Sequence, residues 1–242
     1  MRNRMAMFLL GATLALGFAL SAYIIAQAAV KVTRNNNICV KGSAMRLVKS
    51  DYGIWYGSFS TRNPVLTDGY AELAADQERV EAFLREAGFA AEEIVFESVD
   101  VMENMQRDAK GIPTQTVLDY LLTQQVVVSS EKVERIEKVA REFTTLIQAG
   151  VLPRSNGASF IIRDLDKYKM QLLSEATRNG AERAGVLAKN SGGSVGGLIS
   201  ASQGVFQITA PASGAMSSYG EYDKSTIMKE IKAVVTLEFR VE

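Results

Sequence analysis

Alternation of apolar and polar positions is sharpest near the C-terminus. Ile231, Ala233, Val235, Leu237, Phe239 and Val241 alternate with Glu230, Lys232, Thr236, Glu238 and Arg240. A period of two describes an antiparallel strand with one wet face. Further extended segments are predicted at 38–40, 47–60, 94–105, 115–129, 159–162 and 195–209. In the second, Trp55, Tyr56 and Phe59 cluster. Val95, Val99 and Val101 share one face of the third, and Leu118, Tyr120, Leu122, Val126 and Val128 point inward from the fourth. Along 195–209 the parity changes between Ile199, Ala201 and Phe206, Ile208. One extra residue at Gly204, a β-bulge, would return all four to one side.

Spacings of three and four predict three amphipathic helices. The first follows a cap at Thr67 or Asp68, carries Tyr70, Leu73, Gln77, Val80, Leu84 and Ala87, and stops at Gly88. The second follows Ser130, with Val133, Ile136, Val139, Phe143, Leu146 and Ile147, and ends at Gly150 and Pro153. The third is long, capped by Asp164 or Asp166 and buried along Leu173, Ala176, Gly180, Ala184 and Leu187. A short acidic side chain accepts the first free N–H groups of a helix. Ala176, Gly180, Ala184 and Ala188 recur every fourth residue, so one ridge is small enough for close backbone approach. Tight helix-on-sheet packing is the first reading of that ridge, and a helix–helix face the second. Gly192 and Gly193 supply a left-handed stop.

Helix, glycine stop, strand, polar loop and strand occur in 67–129 and again in 164–241, with loops 103–114 and 210–226 at equivalent places. The fold class expected is α+β: an antiparallel sheet covered on one face by helices, built from pseudo-duplicated helix-strand-strand units and preceded by one N-terminal hydrophobic helix.

That helix lies in residues 1–30, read as a membrane anchor or signal segment ahead of a domain at 37–242. Arg2 and Arg4 precede an uncharged run from Met5 to Val30. Ala26-Gln27-Ala28 has the small-x-small form of a cleavage site, but a signal's apolar core is ~7–15 residues and this run is longer. About 20 apolar residues span a bilayer. An uncleaved, single-pass inner-membrane anchor with the main domain in the periplasm is the favoured reading. Arg2 and Arg4 would stay cytoplasmic, although Lys31 and Arg34 on the far side weaken the asymmetry. A soluble periplasmic protein after cleavage is the alternative.

Composition mainly removes options. The chain has 242 residues, 27 basic and 27 acidic, and 47% apolar. From Lys31 onward 25 basic face 27 acidic residues, so no basic face for nucleic acid is implied. Histidine is absent, which takes away the commonest general base and metal ligand. The single Cys39 excludes an internal disulfide and reads as a small buried hydrophobe. No nucleophile elbow, phosphate loop or zinc spacing is present. The run from Gly192 to Gly197 leaves a helix and enters a strand, the reverse of a phosphate loop. Asp164 and Asp166 suit helix capping better than acid–base work. Glu92 and Glu93 read as solvated turn residues, and Lys167 and Lys169 as partners of Asp164 and Asp166 or of another molecule. No catalytic, cofactor-binding or metal residue is assigned, and no cofactor is expected. Loop 210–226, with Met216, Tyr219 and Tyr222, is the best candidate for a binding surface, a flexible excursion being the alternative.

With these residues in view, the chain resembles the SIMPL-domain family of bacterial envelope proteins. The resemblance rests on Ile38-Cys39-Val40-Lys41-Gly42-Ser43-Ala44, on Ser50-Asp51-Tyr52-Gly53-Ile54-Trp55, and on Glu175-Ala176-Thr177-Arg178-Asn179-Gly180-Ala181. It includes Ser191-Gly192-Gly193-Ser194-Val195-Gly196, Gln203-Gly204-Val205-Phe206-Gln207-Ile208 and the final strand. Where many members carry Pro-Asp near the first strand, this chain has Ser50-Asp51. The resemblance implies an α+β fold, periplasmic or membrane-anchored placement and an oligomer. It implies a loose link to envelope and oxidative-stress tolerance, with no agreed activity and no catalytic residues to carry over.

The leading expectation is therefore a non-enzymatic envelope protein that works through self-association or an unidentified envelope partner. A small-ligand binder or enzyme of unrecognised type is the second. It would need a concave pocket, for which Trp55, Tyr56 and Tyr120 with Asp51 or Arg163 are the candidates. A ring- or pore-like assembly is the third.

Overall fold

The computed structural model describes residues 2–33, 36–214 and 217–242, with side chains in the first helix described for 11–27. Arg34, Asn35 and Met216 lie outside the described residues, as do the side chains of Arg2, Arg4, Ala28 and Lys31. Helix α1 runs Arg2–Thr33, beyond the expected end at residue 30. Among the described residues no helix is long and apolar enough to cross a membrane.

The chain is mixed α+β, with antiparallel sheets and four helices. The strands divide between two sheets. By contact the chain forms two units, residues 45–172 with 205–233, and residues 1–44 with 173–204 and 234–242.

In the larger unit, β2 (Tyr52–Asn63), β3 (Ile94–Arg107), β4 (Pro113–Ser130) and β5 (Leu152–Ile161) form a sheet of order β3-β4-β2-β5. All its pairings are antiparallel. Helices α2 (Leu66–Glu86) and α3 (Val133–Glu142) pack on one face of it. Trp55, Phe59, Leu73, Val80, Ile136 and Phe143 are buried there, the Phe143 ring edge-on to Trp55 at 4.6 Å.

Several side chains depart from their expected faces. Tyr56 is exposed because successive strand residues alternate, leaving Trp55 and Phe59 inside. Val95 faces out, since β3 slips register between Phe96 and Val99. Ile94 and Phe96 therefore face the core before the slip, and Val99 and Val101 after it. Leu118 is exposed near further register shifts at Asn104–Arg107. These pairings extend to Arg107 and Pro113, so most of the expected loop 103–114 is strand.

Helix α2 starts without a side-chain cap from Thr67 or Asp68. Instead Asn63 Oδ1, ahead of it, accepts the Val65 N–H at 2.8 Å. Gly69 and Asp76 join Leu73, Val80 and Leu84 on its buried stripe, while Tyr70 is exposed and Gln77 half-buried. Before α3, Ser130 Oγ accepts the Lys132 N–H at 3.0 Å. Val133, Ile136, Val139, Phe143 and Leu146 are buried as expected, but Ile147 is exposed, beyond the switch to a 3₁₀ segment at Phe143–Ala149.

The second sheet contains β1 (Asn37–Lys49), β6 (Val195–Gln203), β7 (Gln207–Thr209), β8 (Glu221–Tyr222) and β9 (Met228–Val241). Its order is β1-β9-β7-β8, with β6 also on β9. Strands β6 and β7 pair β9 antiparallel, and β8 pairs β7 parallel. The alternation of β9 holds, with Ile231, Ala233, Val235 and Leu237 buried. Cys39 is exposed rather than buried, because Val40 takes the inward position beside it.

In the smaller unit, the C-terminal part of α4 (Leu165–Asn190) packs on strand backbone. The buried ridge is Ala176, Gly180, Ala184 and Ala188, and the same four-residue step reaches Leu172 nearer the start. The expected Leu173 is half-buried and Leu187 exposed, being one residue off that step. A Cβ at Gly42 would lie 2.1 Å from the Ala176 carbonyl oxygen, so the small ridge serves close helix-on-strand packing. Asn179 Oδ1 accepts the Ser43 N–H at 3.2 Å, and Arg183 donates to the Lys41 carbonyl at 3.1 Å. Helix α4 is capped by Asp164, which accepts the Lys167 N–H at 3.4 Å, and stops at left-handed Gly192.

Candidate functional site

Three neighbouring connections of the larger unit bring charged side chains together. Ser50 and Asp51 turn β1 into β2, Glu131 joins β4 to α3, and Arg163 joins β5 to α4. Asp51 Oδ1 accepts the Arg163 backbone N–H at 2.9 Å, and Arg163 Nη2 donates to Glu131 Oε1 at 2.7 Å. The guanidinium lies 5.2 Å from the centre of the Tyr52 ring. Lys49 pairs with Glu134 beside them. The charged side chains line an open cleft of about 350 Å³ with Ser50, whose buried Oγ has no partner among the described residues.

Its electrostatics are those of closed ion pairs. Hydrogen bonding to Glu131 raises the Arg163 pKa, and the hydrogen bond from Lys49 lowers that of Glu134. Neither shift leaves a group poised to move a proton near neutral pH, and no nucleophile is paired with a base. Of the aromatic set expected with Asp51 and Arg163, none lines this cleft. Trp55 is buried and donates from Nε1 to Ser155 Oγ at 3.0 Å. Tyr56 faces away from the core, and Tyr120 packs against the buried cluster. Tyr52, which the sequence did not single out, is the aromatic at Arg163.

Loop 210–226 is tied down over much of its length. Gln207 brackets Ser217, donating to its carbonyl at 2.6 Å and accepting its N–H at 3.3 Å. Tyr222 Oη accepts the Ile162 N–H at 3.3 Å. Asp223 accepts the Ser225 backbone N–H at 2.8 Å and its hydroxyl at 2.7 Å, and also the Thr226 hydroxyl. Fully buried Lys229 donates to the Asp223 and Thr226 carbonyls and sits 3.6 Å from the Asp223 carboxylate. Burial alone would raise the Asp223 pKa, but the Thr226 and Ser225 hydrogen bonds, with the Lys229 charge, bring it down to about 2. Burial lowers the Lys229 pKa against the pull of Asp223. The loop is a closed structural turn at this end, and Tyr219, 95% exposed, is its outstanding free side chain. The available signal for Lys229 was parity, since it shares the inward phase of Ile231 and Ala233.

Glu93 is likewise engaged rather than solvated. Burial pushes its pKa up, yet hydrogen bonds from Lys132, Ser130 and the Ala90 N–H hold it down at about 2. Lys169 meets Asp166 at 3.0 Å, one of the two partnerships expected for it.

Strand β6 corrects the expectation of a single bulged strand over 195–209. The chain breaks after Gln203, and Gly204 donates to the Val234 carbonyl at 2.9 Å before β7 begins. A Cβ at Gly204 would lie 3.2 Å from that oxygen. Among the described residues β6 pairs only with β9, which leaves its other backbone edge open. Leu198 and Ile199 are 54% and 51% exposed. Residues 191–220 contain no Asp, Glu, Lys or Arg, the signal in the sequence that marks this edge. Edge strands are ordinarily guarded by charge, proline or short length. β1 carries Lys41, Arg46 and Lys49, whereas β6 carries none of these guards.

Among the described residues, no group of three or more His, Cys, Asp or Glu could hold a metal ion. Residues 38–239 match the model of a family described as SIMPL, protein of unknown function (DUF541). Compared with the curated proteins, the chain matches none.

Proposed function

Because the chain belongs to the SIMPL family, for which no function is assigned, we propose a role in association rather than catalysis. It is a non-enzymatic protein of the cell envelope that works through self-association or binding of an envelope partner, in envelope or oxidative-stress tolerance. The observation that carries this reading is the open, uncharged β6 edge with Leu198 and Ile199 exposed beside it. An extended strand from another chain can add to such an edge, backbone hydrogen bonds giving affinity and alternate side chains giving selectivity. The uncharged run from Met5 to Val30, preceded by Arg2 and Arg4, supports a single-pass inner-membrane anchor with the following domain in the periplasm.

Sedimentation of the full chain in nonionic detergent tests the association. The wild type is expected to sediment as an assembly, and Ile199→Lys to shift it to the single chain. A wild type that stays single, alone and with solubilised envelope proteins, rejects the reading. So does an assembly indifferent to both Ile199→Lys and Ser200→Pro.

A further inference from the structure

Outside the cleft and the β6 edge, the larger unit carries a groove lined by residues of β2, β4, β5 and the 3₁₀ segment Phe143–Ala149. The register places Ser58 of β2 opposite Arg154 of β5, and Ser60 between Leu152 of β5 and Thr123 of β4. These residues line a groove of about 330 Å³, into which Ile147 also faces. Among the described residues, the Arg154 guanidinium has no ion pair or hydrogen bond, unlike the guanidinium of Arg163. The hydroxyls of Ser60 and Thr123 likewise make no hydrogen bond within the protein, and both side chains are half-buried. Among the described residues, Arg154 is the only full charge lining this groove. On the same wall, Leu152 and Ile147 remain 55% and 61% exposed.

We infer that this groove binds a small amphiphilic anion, an oxyanion head on Arg154 with the Ser60 and Thr123 hydroxyls and a short apolar chain on Leu152 and Ile147. A guanidinium presents paired N–H donors matched to a carboxylate or phosphate, and hydroxyl donors complete the shell of the same anion. The exposed aliphatic wall gives no reward to a bare inorganic ion but does to a chain of several methylenes. No carboxylate lines the groove, so a cationic head has no partner there. The same head chemistry is presented by a free fatty acid and by a lipid headgroup. This inference stands apart from the association proposed for β6.

Ligand-observed saturation-transfer NMR on the full chain in nonionic detergent tests it. Hexanoate represents the free acid, and dihexanoyl phosphatidylglycerol below its micellar concentration represents the headgroup. Saturable binding of at least one is expected, with acetate and hexanol each about tenfold weaker, because each lacks half of the recognition. Arg154→Gln, at a guanidinium without a hydrogen bond or ion pair among the described residues, should weaken that binding about tenfold and leave hexanol unchanged. Thr123→Val should weaken it a few-fold. Whichever probe binds identifies the source of the head. The inference is overturned if neither probe binds, if hexanol binds as well as hexanoate, or if Arg154→Gln binds as tightly as wild type.

Discussion

Lys229 stands on the inward face of β9, in phase with buried Ile231 and Ala233. Its ammonium is fully buried, and two carbonyls and the Asp223 carboxylate take up its charge. Removing one member of such a set leaves the other uncompensated, at a cost of about 3–5 kcal/mol. Lys229→Met should lower the urea midpoint accordingly, and adding Asp223→Asn should recover part of the loss. Asp223 and Glu93 also set an acid limit. Both have folded pKa values held near 2, below their ordinary 3.8 and 4.5. Their stabilisation is therefore fully present above about pH 5 and lost as pH falls through the folded values. Each is worth on the order of 2–3 kcal/mol, since both side chains are mostly buried. Glu93→Gln should flatten the stability-against-pH curve between pH 5 and 2, as read from urea midpoints across that range. At Cys39 the residue type suggested burial, but the parity of β1 puts Val40 inside and the thiol outside. The exposed thiol should react with a thiol reagent in the native protein as fast as after unfolding.

At the scale of elements, the long-period patterns were legible and local interruptions were not. The small ridge of α4 and the alternation of β9 need no knowledge of neighbours, because burial of one face is enough to write them. The face of β3 could not be read by counting, since the register slip between Phe96 and Val99 is decided by pairing with β4. The same holds for 195–209. A bulge and a break leave similar marks on parity, and the Gly204–Val234 hydrogen bond distinguishes them. The contact between β1 and α4 was half legible, as a stripe of small residues without its partner Gly42. Gly42→Ala would place a methyl against backbone at Ala176 and Gly180, which a rotamer change cannot relieve. It should cost about 3 kcal/mol or more, in the range of severe overpacking. Gly197→Ala, with nothing within 4 Å, is the control, and thermal unfolding of the two variants would separate them.

For the whole molecule, composition and pattern reached the α+β class and its antiparallel pairing. The division of the strands between two sheets was beyond them. Which strands become neighbours depends on pairings far apart in the chain, and alternation within a strand carries no partner information. The candidate surfaces were out of reach for the same reason. Arg163 meets Asp51 and Glu131 across three separate connections, and Arg154 gains its hydroxyl neighbours only through the β2–β5 and β2–β4 registers. The sheet order also has a consequence in time. Strand β9 is the shared neighbour of β1, β6 and β7, yet it occupies Met228–Val241 and follows all three in the chain. Until it emerges, β1 waits without its hydrogen-bonding neighbour while residues 50–227 are made, and uncharged β6 has both backbone edges bare. A chain ending at residue 227 should therefore fail to protect β1 amides from hydrogen exchange and should aggregate through 191–220. Any factor that escorts this protein as it is made has to shield that segment until β9 arrives.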